Sequence, residues 1–348
     1  MLGAIVGDIV GSIYEWNNHR SKDFPFFGPG ADYTDDSVLT AAVADALVHG
    51  LPPQKALFLW ATRHPKRGYG GGFARWLDTW ELAPYGSWGN GAAMRVSPAA
   101  LIARTLDEAL ALAVKVTEVT HDHPEGLKGA KATAQAIFLA RNGADASEIR
   151  RAIARGYGYD MDRTVDSIRP GYVFNESCQE TVPEALICAL EATSFEDAIR
   201  NAISIGGDSD TVAAIAGPVA EARFGIPDEI AVAAMAMIPE DMQLTLRKLY
   251  ARSDYAHPIP RERPVLPVAR LRERYEALLP IEELPGERSF RIRLGSGWDS
   301  FLFHGRSDSA WLREALKSQG PRDFPFDDCP ALVALVLEAW PQPGEWPG

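Results

Sequence analysis

Cysteine is scarce in this chain: only Cys178, Cys188 and Cys329 occur among 348 residues. The count is odd and no Cys-x-x-Cys spacing occurs, so neither a disulfide framework nor a cysteine-rich zinc site fits. Reduced thiols in a cytoplasmic protein are the expectation. Positive charge is also in deficit, with 35 Lys and Arg against 47 Asp and Glu and a formal net charge of −12. That balance argues against a nucleic-acid backbone or an anionic membrane surface as the main partner. No apolar run reaches the roughly eighteen residues a membrane span needs. The N-terminus lacks the basic region, apolar run and cleavage site of a secretory signal.

What the chain does have is enough apolar residues, 46%, to bury a sizeable core in one large domain or two smaller ones. Amphipathic stretches recur at roughly 37–48, 54–63, 98–116, 127–141, 147–155, 181–192, 195–204, 211–223 and 228–237, and they are rich in alanine. Strand-like alternation is rare before residue 255, so the main domain is expected to be all-α. Prolines at 258, 260, 264 and 267 break the pattern and mark a boundary, giving residues 1–257 and 258–348. Beyond it, a short helical piece near 268–279, a strand at Ser289–Leu294 and helices at 308–318 and 330–340 describe a small α+β extension. Its tryptophans, Trp298, Trp311, Trp340 and Trp346, form a small core or dock on the main domain, or else serve a recognition module.

Two acidic clusters carry the chemistry. Thr34-Asp35-Asp36-Ser37 and Asp208-Ser209-Asp210-Thr211 each place two carboxylates and a threonine hydroxyl within four residues. Each also opens an apolar helical pattern, where an N-cap acid is ordinary. One acid suffices for a cap, and both segments have two. Brought together they offer six hard oxygen donors, Thr34, Asp35, Asp36, Asp208, Asp210 and Thr211, a set suited to two cations such as Mg²⁺ or Mn²⁺. The second cluster is not the Asp-x-Asp-x-Thr of a haloacid-dehalogenase phosphatase, because Thr211 directly follows Asp210.

Gly3, Gly7 and Gly11 recur every fourth residue and lead to Glu15. Each mid-helix glycine costs about 0.5–1 kcal/mol against alanine, so the stripe needs a reason. Close helix packing and backbone approach to a site are both available, and the two are compatible. Asp8, on the same helix, reads as a hydrogen-bonding acid that supports the site.

Taken in order, Gly7–Glu15, Tyr33–Ser37, Gly89-Asn90-Gly91-Ala92-Ala93-Met94-Arg95, Thr120-His121 and Gly206–Thr211 resemble the ADP-ribosylglycohydrolase (ADP-ribosyl-acceptor hydrolase) family over about residues 1–240. The resemblance implies a compact orthogonal helical domain with a binuclear Mg²⁺ centre, Mn²⁺ being a substitute, held by the six residues above. It implies catalytic roles for Glu15, Asp36 and Asp208. Asn90, Gly91, Ala92, Met94 and His121 would bind substrate, the glycines letting backbone N–H groups cradle a diphosphate. The implied reaction is hydrolysis at C1″ of ADP-ribose on a protein or small molecule, arginine-linked by preference, with serine, nucleobase or metabolite acceptors open. Tyr157, Tyr159, Tyr172 and Phe174 offer an aromatic face for adenine or simply pack. A non-catalytic ADP-ribose-binding or structural protein on the same scaffold is the rival reading. Such a protein is expected to have lost ligands or the glutamate, and all are present. A monomer is the default.

Overall fold

The computed structural model describes residues 1–79 and 82–255 and, further on, the backbone of three strands. Fifteen helices lie among the described residues. The first six are α1 (Leu2–Gly11), α2 (Asp35–His49), α3 (Pro53–Arg63), α4 (Gly71–Thr79), α5 (Gly91–Met94) and α6 (Ser97–Ile102). Then follow α7 (Leu106–Thr117), α8 (Pro124–Arg141), α9 (Ala146–Tyr157), α10 (Val165–Ile168) and α11 (Cys178–Glu191). The last four are α12 (Phe195–Ser204), α13 (Ser209–Phe224), α14 (Asp228–Met237) and α15 (Glu240–Arg252). The body is all-α, and no described helix is long and apolar enough to cross a membrane.

The chain divides into two units, Met1–Met235 with Asp241–Ile259, and Ala236–Glu240 with Pro260–Gly348. In the second, β1 (Ile281–Glu283), β2 (Ser289–Leu294) and β3 (Gly297–Leu302) pair antiparallel in that order, with Phe290 opposite Phe301. The expected strand at Ser289–Leu294 is β2. The helices expected at 268–279, 308–318 and 330–340 lie outside the described residues.

At the centre of the first unit is α13, buried from Ser209 to Glu221. A helix buried on all sides needs no polar face, which its run of alanine, valine and isoleucine supplies. Its closest partner is α1, also wholly buried, and α12, α11, α8 and α5 surround it. The glycine stripe makes the α1–α13 seam. A Cβ on Gly7 would stand 2.2 Å from the Ala213 carbonyl oxygen, and one on Gly3 2.4 Å from that of Gly217. A Cβ on Gly11 would meet Asp210 Cα at 2.3 Å, so the same stripe packs the helices and brings backbone against the second acidic cluster. Glu221 closes the far end of the seam: it accepts from the Gly3 N–H (2.8 Å) and the Tyr250 hydroxyl and pairs with the Met1 amine (2.7 Å).

One expectation is corrected, and two helices that periodicity did not mark are added. The single helix expected at 98–116 is two, α6 and α7. Thr105 caps α7 by accepting from Glu108 N–H at 3.2 Å, and Arg141 at the end of α8 satisfies carbonyls at the end of α6, including Ala100 (2.7 Å) and Ala103 (3.0 Å). Helix α4 begins at Gly71, within a run of glycines, and buries Phe73 and Trp76. Helix α15, unread in the sequence, buries Met242, Leu246, Leu249 and Tyr250.

The seam is testable. Gly7→Ala gains helix propensity but drives a methyl into main chain that cannot swing aside. We expect a net loss of about 1–3 kcal/mol, the usual cost of overpacking, in urea unfolding. A variant as stable as the parent would mean that the two helices are not in this contact.

Candidate metal centre and substrate site

Thr34 caps α2, its hydroxyl accepting from Asp36 N–H at 3.4 Å. The cap is thus the threonine, which leaves both following carboxylates for other work. At α13 the cap explanation fails outright, because Asp208 makes no side-chain bond to the helix N–H groups. Two consecutive left-handed glycines, Gly206 (φ 75°) and Gly207 (φ 78°), turn the chain into this helix. Asn18 holds the turn by accepting from Gly207 N–H (2.8 Å) and donating to its carbonyl (2.9 Å). A side chain at Gly207 would strike the Tyr172 ring at 2.3 Å.

The two clusters converge. The Thr211 hydroxyl donates to Asp36 Oδ2 at 3.2 Å across 175 residues of sequence. Carboxylate oxygens of Asp8, Asp36 and Asp210 lie within 4.8 Å of one another, and so do those of Glu15, Asp208 and Asp210. Asp210 is common to both groups. Asp35 falls in neither group; its Oδ1 faces the left-handed Gly68 of the neighbouring loop. Asp8 is saturated by donors from the first cluster: Oδ2 accepts from the N–H groups of Thr34 (2.9 Å) and Ser37 (3.1 Å) and from the Ser37 hydroxyl. Its Oδ1 accepts the Thr34 hydroxyl at 2.5 Å. The structure therefore gives Asp8 the supporting part expected of it, orienting Thr34 so that the oxygen's remaining lone pair is free.

Charge is held here at a cost. Burial, then the neighbouring acids, raises the carboxyls of Asp35, Asp36 and Asp210 well above the usual range. Asp208 is raised by burial too, with hydrogen bonds from its neighbours offsetting part of the rise. Asp8 is pushed up to about 6 by burial. Glu15, half-buried at the edge, is pushed up to about 7 by burial and by Asp208 and Asp8. Asp36 Oδ1 is buried with no hydrogen-bond partner. A compressed set of carboxylates and hydroxyls, one oxygen unpartnered, is the donor chemistry of a hard divalent cation, so the residues fit such an ion.

The Gly89–Met94 loop is fastened beside this centre. Asn90 Nδ2 donates to Asp208 Oδ2 at 2.7 Å, a link the sequence did not reveal, since it had assigned Asn90 to substrate alone. Glu176 accepts from Asn90 N–H (2.6 Å), and Trp88 accepts from Cys178 N–H (3.0 Å), so the start of α11 pins the loop. Ala92 and Met94 are buried, and their N–H groups are used within the turn, as is that of Ala93. Gly91, by contrast, is partly open. His121 is buried against the loop, its Nε2 only 3.1 Å from where a Cβ on Gly91 would stand. His123 caps α8, accepting from Glu125 N–H at 3.2 Å. Tyr159 and Tyr172 are buried packing residues, whereas Phe174 is exposed and stacks on exposed Trp16, ring centroids 5.0 Å apart. That pair, next to Glu15 in the chain, was not foreseen; two isolated aromatics far apart in sequence carry no pairing signal.

An all-α body that gathers buried carboxylates from α1, α2 and α13 beside a glycine loop defines the class: a helical scaffold whose clustered acids could hold a hard cation. The ADP-ribosylglycohydrolase family model matches residues 1–258, and the chain belongs to that family. ADP-ribosylhydrolase ARH3 of Homo sapiens is 28% identical over 310 residues, spanning 65% of this chain and 84% of that protein. ADP-ribosylarginine hydrolase Tri1 of Pseudomonas putida (strain GB-1) is 27% identical over 266 residues, spanning 65% and 70%. A solved structure titled ADP-ribosylglycohydrolase-related protein complex superposes with a TM-score of 0.56 at 25% identity, covering 72% of this chain and 97% of that one. Hydrolysis of ADP-ribosyl groups is the activity of the family to which this chain belongs.

The raised carboxyls set a pH dependence. With folded pKa values of about 7 for Glu15 and about 6 for Asp8, the native state binds more protons than the unfolded one between roughly pH 4 and 7. Stability then falls as pH rises through that window. In chelator we expect a lower Tm at pH 8 than at pH 5, with Mg²⁺ or Mn²⁺ raising Tm more at pH 8, where protons no longer compete. A Tm in chelator that climbs from pH 5 to 8 would contradict this compression of acids.

Proposed function

We propose that this protein is a divalent-cation-dependent ADP-ribosyl hydrolase that cleaves the C1″ glycosidic bond between ADP-ribose and an acceptor. The observation carrying the reading is the convergence of the two acidic clusters into one buried group, with Glu15 at its edge and Asn90 tied to Asp208. A bare set of such carboxylates repels itself. Two Mg²⁺ ions, or Mn²⁺ in their place, held by Thr34, Asp35, Asp36, Asp208, Asp210 and Thr211, would relieve that repulsion and supply Lewis-acid charge to the distal ribose and its water.

In this reading the chain's own residues do the following. Asp8 fixes the Thr34 hydroxyl, and Asn90 fixes Asp208 Oδ2. Asp36, whose Oδ1 has no hydrogen-bond partner, and Asp208 would accept the proton of the reacting water. Glu15, with a carboxyl near 7 before cations bind, can hold or release a proton close to neutral pH and assists the leaving acceptor. Gly91 and His121 take the diphosphate or ribose oxygens. Ala92 and Met94 shape the loop beneath them. Residues 1–257 form the hydrolase domain and 258–348 an extension of the chain. Arginine-linked ADP-ribose is the favoured substrate, supported by the Pseudomonas putida relative, whose printed name is ADP-ribosylarginine hydrolase. The buried free thiols Cys178 and Cys188 suit a reducing cytoplasm, and we take the protein to work there as a monomer.

Release of free ADP-ribose should be measured from arginine-, serine- and nucleobase-linked substrates and from O-acetyl-ADP-ribose, with Mg²⁺ and with chelator. Mg²⁺-dependent release, fastest from the arginine linkage, is the expected result. Asp210→Asn should lower kcat by about 10³-fold, matching the several kcal/mol a bound cation contributes. A folded Asp210→Asn protein with parental activity would overturn the cation-dependent reading. Tight ADP-ribose binding with no release from any linkage would make the protein a binder.

A further inference from the structure

Arg95 is fully buried at the end of α5, and its Nε and Nη1 have no hydrogen-bond partner. Among the described residues no carboxylate forms an ion pair with it. Its one hydrogen-bonding nitrogen, Nη2, donates to the Thr120 hydroxyl oxygen and lies 3.4 Å from His121 Nδ1. Thr120 Oγ1 is itself 2.8 Å from the same Nδ1. A guanidinium only donates. Because Thr120 Oγ1 accepts from Arg95, its own proton is free to go to Nδ1. Both neighbours of Nδ1 can therefore present protons to it, and the Arg95 guanidinium has only protons to offer, which favours Nδ1 as the bare nitrogen of the ring. The neutral ring then carries its proton on Nε2.

The other edge of the ring faces the Gly89–Gly91 loop. Nε2 lies 3.1 Å from where a Cβ on Gly91 would be and 3.6 Å from one on Gly89, so the two glycines leave open the space this N–H points into. We propose that Arg95 and Thr120 are positioning residues that lock His121 as the Nε2–H tautomer, making it a fixed hydrogen-bond donor to an oxygen of the ligand at the Gly89–Gly91 loop. The ligand chemistry this selects is an acceptor oxygen, such as a diphosphate oxygen or a ribose oxygen accepting a bond. His121 on this account neither takes nor gives a proton during the reaction. Burial and the Arg95 charge both hold its imidazolium pKa well below the usual range, which agrees. Tyr85, its ring 6.0 Å away, adds a dipole but no charge near neutral pH.

The identification of the ligand rests on the ADP-ribosyl reading, but the tautomer does not. Long-range ¹H–¹⁵N spectra of the ¹⁵N-labelled full chain would read the tautomer directly. The His121 signals can be assigned among the seven histidines by their loss in His121→Gln. We expect an Nε2–H ring that does not protonate between pH 5.5 and 8, and a downfield shift of that proton when ADP-ribose is added. Thr120→Val, close in shape, should convert the ring to a mixture of tautomers and raise KM about tenfold, the worth of roughly one hydrogen bond. Thr120→Ser should restore both. An Nδ1–H ring, a ring titrating near pH 6.5, or an unchanged tautomer in Thr120→Val would overturn the proposal. So would an Nε2–H proton unmoved by bound ADP-ribose. If ADP-ribose moves that proton but no linkage is cleaved, the donor stands and the hydrolase reading falls.

Discussion

The site depends on the α1–α13 seam. A Cβ anywhere along the Gly3, Gly7, Gly11 stripe would sit 2.2–2.4 Å from backbone of α13, so only hydrogens on α1 permit the approach. That closeness sets Asp8 and Glu15, both reached along α1, beside Asp208 and Asp210 at the opening of α13. The glycines cost helix propensity at each position. What they gain is a fixed distance between acids that would otherwise spring apart.

Around that seam the remaining polar network serves to hold anionic and hydroxyl oxygens in place. Asp8 takes four donors from Thr34 and Ser37, which clamps the start of α2 onto α1. Asn90 links the glycine loop to Asp208, and α11 pins the loop from the other side. The acids are thereby held by neighbours that cannot neutralise them, since their partners are hydroxyls, amides and N–H groups. A centre of this kind is short of positive charge, and the buried guanidinium of Arg95 is turned to Thr120 and His121. The carboxylate cluster and the Gly89–Met94 loop are in this way separate devices that meet at the Asp208–Asn90 bond.

Much of this was legible before any coordinates. Helical periodicity located most elements of the body because a helix on a packed core repeats its apolar face every three or four residues. It failed at 98–116, where the break is made by a capping threonine and an arginine arriving from α8, a distant residue that leaves no local trace. It missed α4 behind its glycines, and α15. The aromatic guesses divided for a similar reason. Tyr172 and Phe174 are two residues apart, yet one ring is buried over Gly207 and the other lies open on Trp16. Burial is decided by what arrives from elsewhere in the chain.

By itself the sequence determined the chemistry on offer: which carboxylates, hydroxyls and glycines exist, in which order, and hence the family and the hard-oxygen character of the centre. It determined these because side-chain type and short spacing are local properties. Only the tertiary structure decided which of the acids share a point in space and that Asn90 serves Asp208. Those are matters of distance between segments separated by tens to hundreds of residues, and distance is fixed by packing.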